Sequence, residues 1–239
     1  MKYPLLIEND PSLEPFTGPI LRRQAFAARK KEMLIRKGTL SDFATGYLYF
    51  GLHHTDDGWI IREWAPHATM IYLIGTFNNW QTDERYAFTP GALGIWELHL
   101  PPEVLRHGDL YALMMHWPGG SGKRIPAWAG RTVQDEKTFI FNAQVWNPEK
   151  PYQWKHPLFR RKEEPPLIYE AHVGMAGEEE RVHTYAGFRE RMLPRIKANG
   201  YNTIQLMAIP EHPYYGSFGY HVSSFFAPSS RFGTPDELK

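Results

Sequence analysis

The 239-residue chain contains no cysteine, carries a formal net charge of only +1, and nowhere strings together the ~18 apolar residues that a membrane-spanning helix needs. Each absence removes a class. Without thiols there is no disulfide, no thiol nucleophile and no cysteine-ligated zinc, which is compatible with a cytoplasmic protein. A balance of 27 Lys and Arg against 26 Asp and Glu gives no argument for nucleic acid or an anionic membrane as partner, so an uncharged ligand is expected. The start, MKYPLLIENDP, has only a three-residue apolar stretch before its acids, short of a signal-peptide core. Histidines are present, including adjacent His53 and His54, but no His-x-x-x-His pair falls on a helix, and no metal or cofactor is expected.

Aromatic residues are plentiful at 15%, and all eight tryptophans fall between Trp59 and Trp154. Tryptophans fill cores more often than they form ligand platforms, yet flat rings with one buried face and a polar edge are also what a sugar-binding surface uses. Three patterns follow one another along the chain. Residues 17–38 read as a helix, with Pro19 near its start, Gly38 as its stop, and Leu21, Ala25, Ala28, Glu32 and Ile35 along one line. Its other faces are basic, including Arg36 and Lys37. A solvated face is the plainer reading, and nucleic-acid binding the alternative.

From about Asp42 to Asn142 the pattern is one of short strands punctuated by turns: 59–64, 70–75, 95–100, 109–116 and 138–142. In IWELHL, Trp96, Leu98 and Leu100 alternate with Glu97 and His99, which predicts one apolar and one polar face. Such a run predicts a β-sandwich. GGSGKR (119–124) has a phosphate-loop look, but Arg124 stands where Ser or Thr must hold magnesium, so it reads as a hairpin turn. Five prolines and the charged run RRKEE (160–164) mark a surface linker.

After the linker the period becomes β-α-β: a buried strand at 167–174, a helix capped by Thr184 with Tyr185, Phe188, Met192 and Ile196 inward, and a second buried strand at 203–209. Pro194 must be overridden or kink that helix. Two strands do not complete a parallel α/β domain, whether open or closed as a (β/α)8 TIM barrel, so an incomplete domain is expected. The expected organisation is a helical segment at 1–40, a sandwich at 41–146, a linker at 147–166 and a truncated barrel at 167–239. Open barrel edges would favour self-association. Glu170 reads as a buried structural carboxylate. Glu211, at the end of the second strand, is open between fixing the long aromatic loop 211–233 and touching substrate. Thr234, Pro235 and Glu237 have the parts of a helix start.

REWAPHATMIYLIGTFNNW (62–80), IYEAHVG (168–174), LPRIKANGYNTIQLMAIPEHPYYGSFGY (193–220) and FFAPSSRFGTPDELK (225–239) resemble the 1,4-α-glucan branching enzymes of the α-amylase superfamily. The resemblance implies a glycan-binding sandwich followed by a catalytic (β/α)8 barrel. It implies an α-glucan partner (glycogen or starch) and a retaining transfer that makes α-1,6 branches. It also implies that the catalytic carboxylates lie beyond residue 239, leaving this chain a non-catalytic N-terminal portion; a stand-alone glucan-binding protein is the alternative. Carried over by position, Tyr220 matches a tyrosine stacking on glucose, and Trp64, Pro66 and Gly94 match a glucan-holding surface. Trp80 matches the family's Phe-Asn-x-Trp motif, with core packing and contact both open.

Overall fold

The computed structural model describes residues 5–35, 38–160 and 164–239. Arg36 and Lys37 of the basic helix, and Arg161, Lys162 and Glu163 of the linker, lie outside the described residues. The chain divides into two compact units, residues 1–49 and 50–239. No helix among the described residues is long and apolar enough to cross a membrane.

The first unit is helical, and its longest element is Thr17–Leu34. That helix stops earlier than the expected Gly38 because Ile35 is already extended at φ −108° and ψ 96°. The line from Leu21 to Ile35 contains no buried residue. Strands also do not start at Asp42. Leu40–Phe43 is a turn of helix, closed by a capping box between Thr39 and Asp42.

The second unit opens with nine strands: β1 Gly51–Thr55, β2 Gly58–Trp64, β3 Met70–Gly75, β4 Thr89–Pro90, β5 Ile95–Leu100, β6 Leu110–Trp117, β7 Gly120–Arg124, β8 Thr132–Gln134 and β9 Phe141–Gln144. They form two antiparallel sheets, one ordered β1-β2-β5-β4, the other β3-β6-β9-β8 with β7 also on β6. The sheets share one core. Trp59 and Ile61 of β2 and Trp96, Leu98 and Leu100 of β5 meet Ile71 and Leu73 of β3 and Tyr111 and Leu113 of β6. Alternation in IWELHL therefore reads correctly, with His99 exposed and its apolar neighbours buried.

Two details differ from expectation. GGSGKR does belong to a hairpin, but most of it is strand β7, since Trp117 pairs with Gly120 across the tight turn Pro118–Gly119. The strand expected at 138 begins only at Phe141, because Asp135 folds the preceding residues into a turn. Its Oδ1 accepts from the amides of Lys137 (3.0 Å) and Thr138 (2.7 Å), and Phe139 is held at φ +58°.

The rest of the unit holds two short sheets. β10 Ile168–His172 and β11 Thr203–Met207 run parallel, and β12 Pro210–Glu211 pairs antiparallel with β13 Ser224–Pro228. Between β10 and β11 the helix capped by Thr184 buries Tyr185, Phe188 and Ile196. Pro194 is accommodated by a π-turn over Phe188–Met192, where the Leu193 amide donates to the Phe188 carbonyl, and α-helix resumes at Leu193. Widening the turn absorbs the missing proline donor. Neither parallel strand is covered on both faces as expected. Leu167 and Ile168 are exposed, because no further strand flanks this pair among the described residues. The capping box of Thr234 and Glu237 is present and starts the helix Pro235–Leu238.

Aromatic and charged contacts join the sandwich to these strands. The Trp128 ring stacks on Phe50 at 5.3 Å and on Phe226 at 4.1 Å between centroids. The Arg131 Nη1 donates to the Gly233 carbonyl at 3.1 Å, and Arg231 Nη2 donates to Gln134 Oε1 at 3.2 Å.

Candidate functional site

The expected ligand residues fall in three places. Trp64, Pro66 and Gly94 come together where β2 ends against the start of β5, with Trp64 opposite Ile95. Trp64 is 59% exposed, so it lies outside the core. Its indole N–H donates to the Leu93 carbonyl at 3.0 Å, which fixes the plane of the ring. Leu93 (φ +58°) and Gly94 (φ +77°) make a left-handed turn that pushes the Leu93 side chain out, 87% exposed, beside the tryptophan. A Cβ on Gly94 would sit 2.6 Å from Pro66 Cα, so the close approach requires glycine. Two bonds to the main chain of Ala65 tie the WAPHA segment down: its N–H donates to Gly94 O at 2.8 Å, and its carbonyl accepts from the Trp96 indole at 3.0 Å. The arrangement offers a flat apolar ring, an apolar rim and nearby carbonyls, which suits the face of a pyranose.

Sequence reading missed the group beneath this platform. Glu63 is buried on the core side of β2, the side that Trp59 and Ile61 share, so an acid breaking an apolar alternation was the signal. Its Oε1 accepts from the Trp64 amide at 3.1 Å and its Oε2 from the Ala127 amide at 2.9 Å. Burial raises its pKa above the ordinary 4.5, against the pull of those two amides. The folded state therefore holds the proton more tightly than the unfolded chain. This contribution is complete below about pH 4.5 and is lost as pH rises through the raised folded value. The thermal midpoint of the parent, measured relative to Glu63→Gln, should fall as pH rises across that window; a pH-independent difference contradicts the assignment.

Trp80 stands elsewhere, on the loop after β3. Asn78 braces that loop, accepting from the Gly75 amide at 2.9 Å and donating to the Leu73 and Gln81 carbonyls. Trp80 is half-buried with the Lys123 ammonium 3.9 Å from its ring centroid, and desolvation lowers the lysine pKa. It belongs to the opposite sheet from Trp64.

In the strand-loop region, Tyr220 is 66% exposed and lines a cavity of about 610 Å³ with Tyr169, His172, Phe188, Met207 and Phe218. His172 Nε2 donates to the Phe218 carbonyl at 3.0 Å, holding the loop over β10. Gly219, at φ +83°, lets the loop pass Ala208, whose Cβ would lie 2.5 Å from any Cβ added there. Of the two roles open for Glu211, the geometry fills the loop-fixing one. It is fully buried, and accepts from the His212 amide (3.1 Å), the Ser229 hydroxyl (3.1 Å) and the Ser230 amide (2.8 Å). Glu170 reverses its expectation in the other direction. It is exposed on the cavity wall and accepts from Gln205 at 3.1 Å, because the uncovered face of β10 leaves it in water.

Residues 49–129 match the family described as carbohydrate-binding module 48 (isoamylase N-terminal domain). The chain is 42% identical to the 1,4-alpha-glucan-branching enzyme of Yarrowia lipolytica, over 97% of this chain and 35% of that protein. It is 43% identical to the 1,4-alpha-glucan-branching enzyme 2-2, chloroplastic/amyloplastic, of Arabidopsis thaliana, over 98% of this chain and 30% of that protein. The chain thus spans about a third of the length of the curated relatives it matches. Among solved structures, a Group B Streptococcus pullulanase in complex with maltotetraose superposes with a TM-score of 0.60 at 18% identity, over 87% of this chain and 31% of that one. That likeness is one of fold.

Proposed function

We propose that the chain belongs to the 1,4-alpha-glucan-branching enzyme family and that its 239 residues are the glucan-holding N-terminal portion of such an enzyme. In this reading the sandwich binds an α-glucan chain across Trp64. The strands β10 and β11 are the first two of a (β/α)8 barrel, and Tyr220 lines the mouth of its cleft. The observation that carries the reading is the exposed Trp64 ring, locked in plane by Leu93 and backed by the Pro66–Gly94 contact. Trp64, Leu93 and Pro66 together make an apolar surface with a flat ring, of the kind that packs against a sugar face.

Retaining glycosyl transfer needs one carboxylate to attack and another to protonate the leaving oxygen. In this reading those groups belong to a later part of the enzyme, and the 239 residues hold glucan without cutting or branching it. The open edges of β10 and β11, with Leu167 and Ile168 exposed, and the exposed Phe225 of β13 support self-association of the isolated chain. Purified chain should be retained on immobilised glycogen, leave the iodine spectrum of amylose unchanged, and sediment heavier than a monomer. Branching of amylose by the 239 residues overturns the non-catalytic reading, absence of retention overturns the glucan reading, and a stable monomer overturns the self-association. A stand-alone glucan binder differs from this reading in one respect: activity would not appear when the chain is extended by a relative's remaining barrel.

A further inference from the structure

A second cavity, of about 400 Å³, lies at the other end of β2 from Trp64. Trp59, five residues before Trp64, lines it, so the two are roughly 17 Å apart along the strand. Its walls include the rings of Trp59 and Trp146, and its polar edge is made by Arg131, His53, His54 and Asn147. No aspartate or glutamate lines it among the described residues, which is unusual for a pocket that would grip neutral sugar hydroxyls through carboxylates.

Arg131 is the central group. It is only 9% exposed, its Nε donates to Gln144 Oε1 at 2.9 Å, its Nη1 donates to Gly233 O at 3.1 Å, and its guanidinium lies 4.8 Å from the Trp146 ring centroid. The third nitrogen, Nη2, has no hydrogen-bond partner among the described residues. Nη2 is not sealed from solvent and so can donate into the cavity, whereas the Trp146 indole N–H is buried without an acceptor. Unmet donors on buried groups are costly and call for an acceptor. Burial lowers the Arg131 pKa, partly offset by Glu211, Tyr185 and Glu237, none of which lines the cavity.

We propose that this cavity is an anion site that takes the phosphoryl group of a phosphate monoester, with Arg131 as its principal donor and the tryptophan rings flanking the ester's organic part. A guanidinium held flat by a ring, with free N–H at a cavity free of carboxylates, matches the planar recognition of phosphate oxygens. His54 adds a donor at the rim, while His53 Nε2 already donates to the Phe50 carbonyl at 2.8 Å. The site is separate from the Trp64 platform, and its existence does not depend on the glucan reading.

The test is isothermal titration of the 239-residue chain with inorganic phosphate, glucose 6-phosphate and glucose. Phosphate and glucose 6-phosphate should bind and glucose should not; tighter binding of the ester than of free phosphate assigns the rings to its organic part. Arg131→Gln should abolish binding. Because Arg131 also packs against the sandwich, Asn147→Asp provides the independent variant: it places a negative charge at the exposed rim without disturbing packing and should weaken phosphate at least about tenfold, with an unchanged melting temperature. Absence of binding by both phosphates to about 10 mM, preference for glucose, or phosphate affinity unchanged in Asn147→Asp each overturns the proposal.

Discussion

Replacing Glu211 by alanine is expected to unfasten the loop that carries Tyr220 while leaving the sandwich folded. Three donors, the amides of His212 and Ser230 and the hydroxyl of Ser229, converge on one carboxylate that is entirely out of water. Removing it leaves those donors buried and unmet, each at about 1–3 kcal/mol, less whatever the loop recovers by opening to solvent. A net local loss of about 3 kcal/mol corresponds to roughly a hundredfold faster exchange of the protected amides. Hydrogen exchange should therefore accelerate at Ser223, Ser229 and Ser230, whose amides bond within this region, and stay slow along β2, β5 and β6. Glu211→Gln should fall between the two, since one amide oxygen can still accept but its NH₂ would face another donor. Uniform acceleration over both halves would mean that Glu211 supports the whole unit and not the loop alone.

The second large effect concerns ligand. Trp64→Ala should weaken binding of a linear α-glucan about tenfold or more, and change thermal stability little. Covering one face of a large ring contributes about 1–1.5 kcal/mol, half of what full burial of such a side chain brings, and each 1.4 kcal/mol is a factor of ten. Stability is spared because the ring is mostly in water before ligand arrives. Trp64→Phe should retain part of the affinity, since it keeps a flat face but loses the N–H that Leu93 holds. Affinity electrophoresis in a glycogen gel reads the series; equal mobility of parent and Trp64→Ala would remove the platform from the account.

How much of this was legible in the sequence depends on the range of the interactions. Strands whose apolar residues alternate, such as IWELHL, could be read directly, because period and burial are the same fact. So could the Thr184 and Thr234 caps, which are local. What escaped was set by partners far along the chain. Nothing near Glu63 announces Ala127 sixty-four residues later, and nothing near Glu211 announces Ser229 and Ser230. Burial of β10 was misjudged for the same reason: its composition is that of a covered strand, but covering needs neighbours that the pattern of β10 alone does not supply. Leu93 was missed because its role comes from a left-handed turn; the Leu-Gly pair after Pro90-Gly91 was the available signal.

The Arg131 and Trp128 contacts show why the platform and the Tyr220 loop are read together. Trp128 stacks on Phe226 of β13, and Arg131 reaches the carbonyl of Gly233 just before the terminal helix. On the proposed reading, a glucan chain held by the sandwich would be held by something fixed to the strands, and not by a tethered appendage, which would raise the effective concentration of chain ends near Tyr220.

The most direct test of the account is a titration of isotope-labelled chain with maltoheptaose, following the indole N–H resonances of the eight tryptophans. The Trp64 resonance is predicted to shift with the same midpoint as binding measured by affinity electrophoresis, while the core indoles of Trp59 and Trp96 stay in place. A Trp64 resonance unmoved at saturating maltoheptaose would contradict the claim that this surface holds glucan.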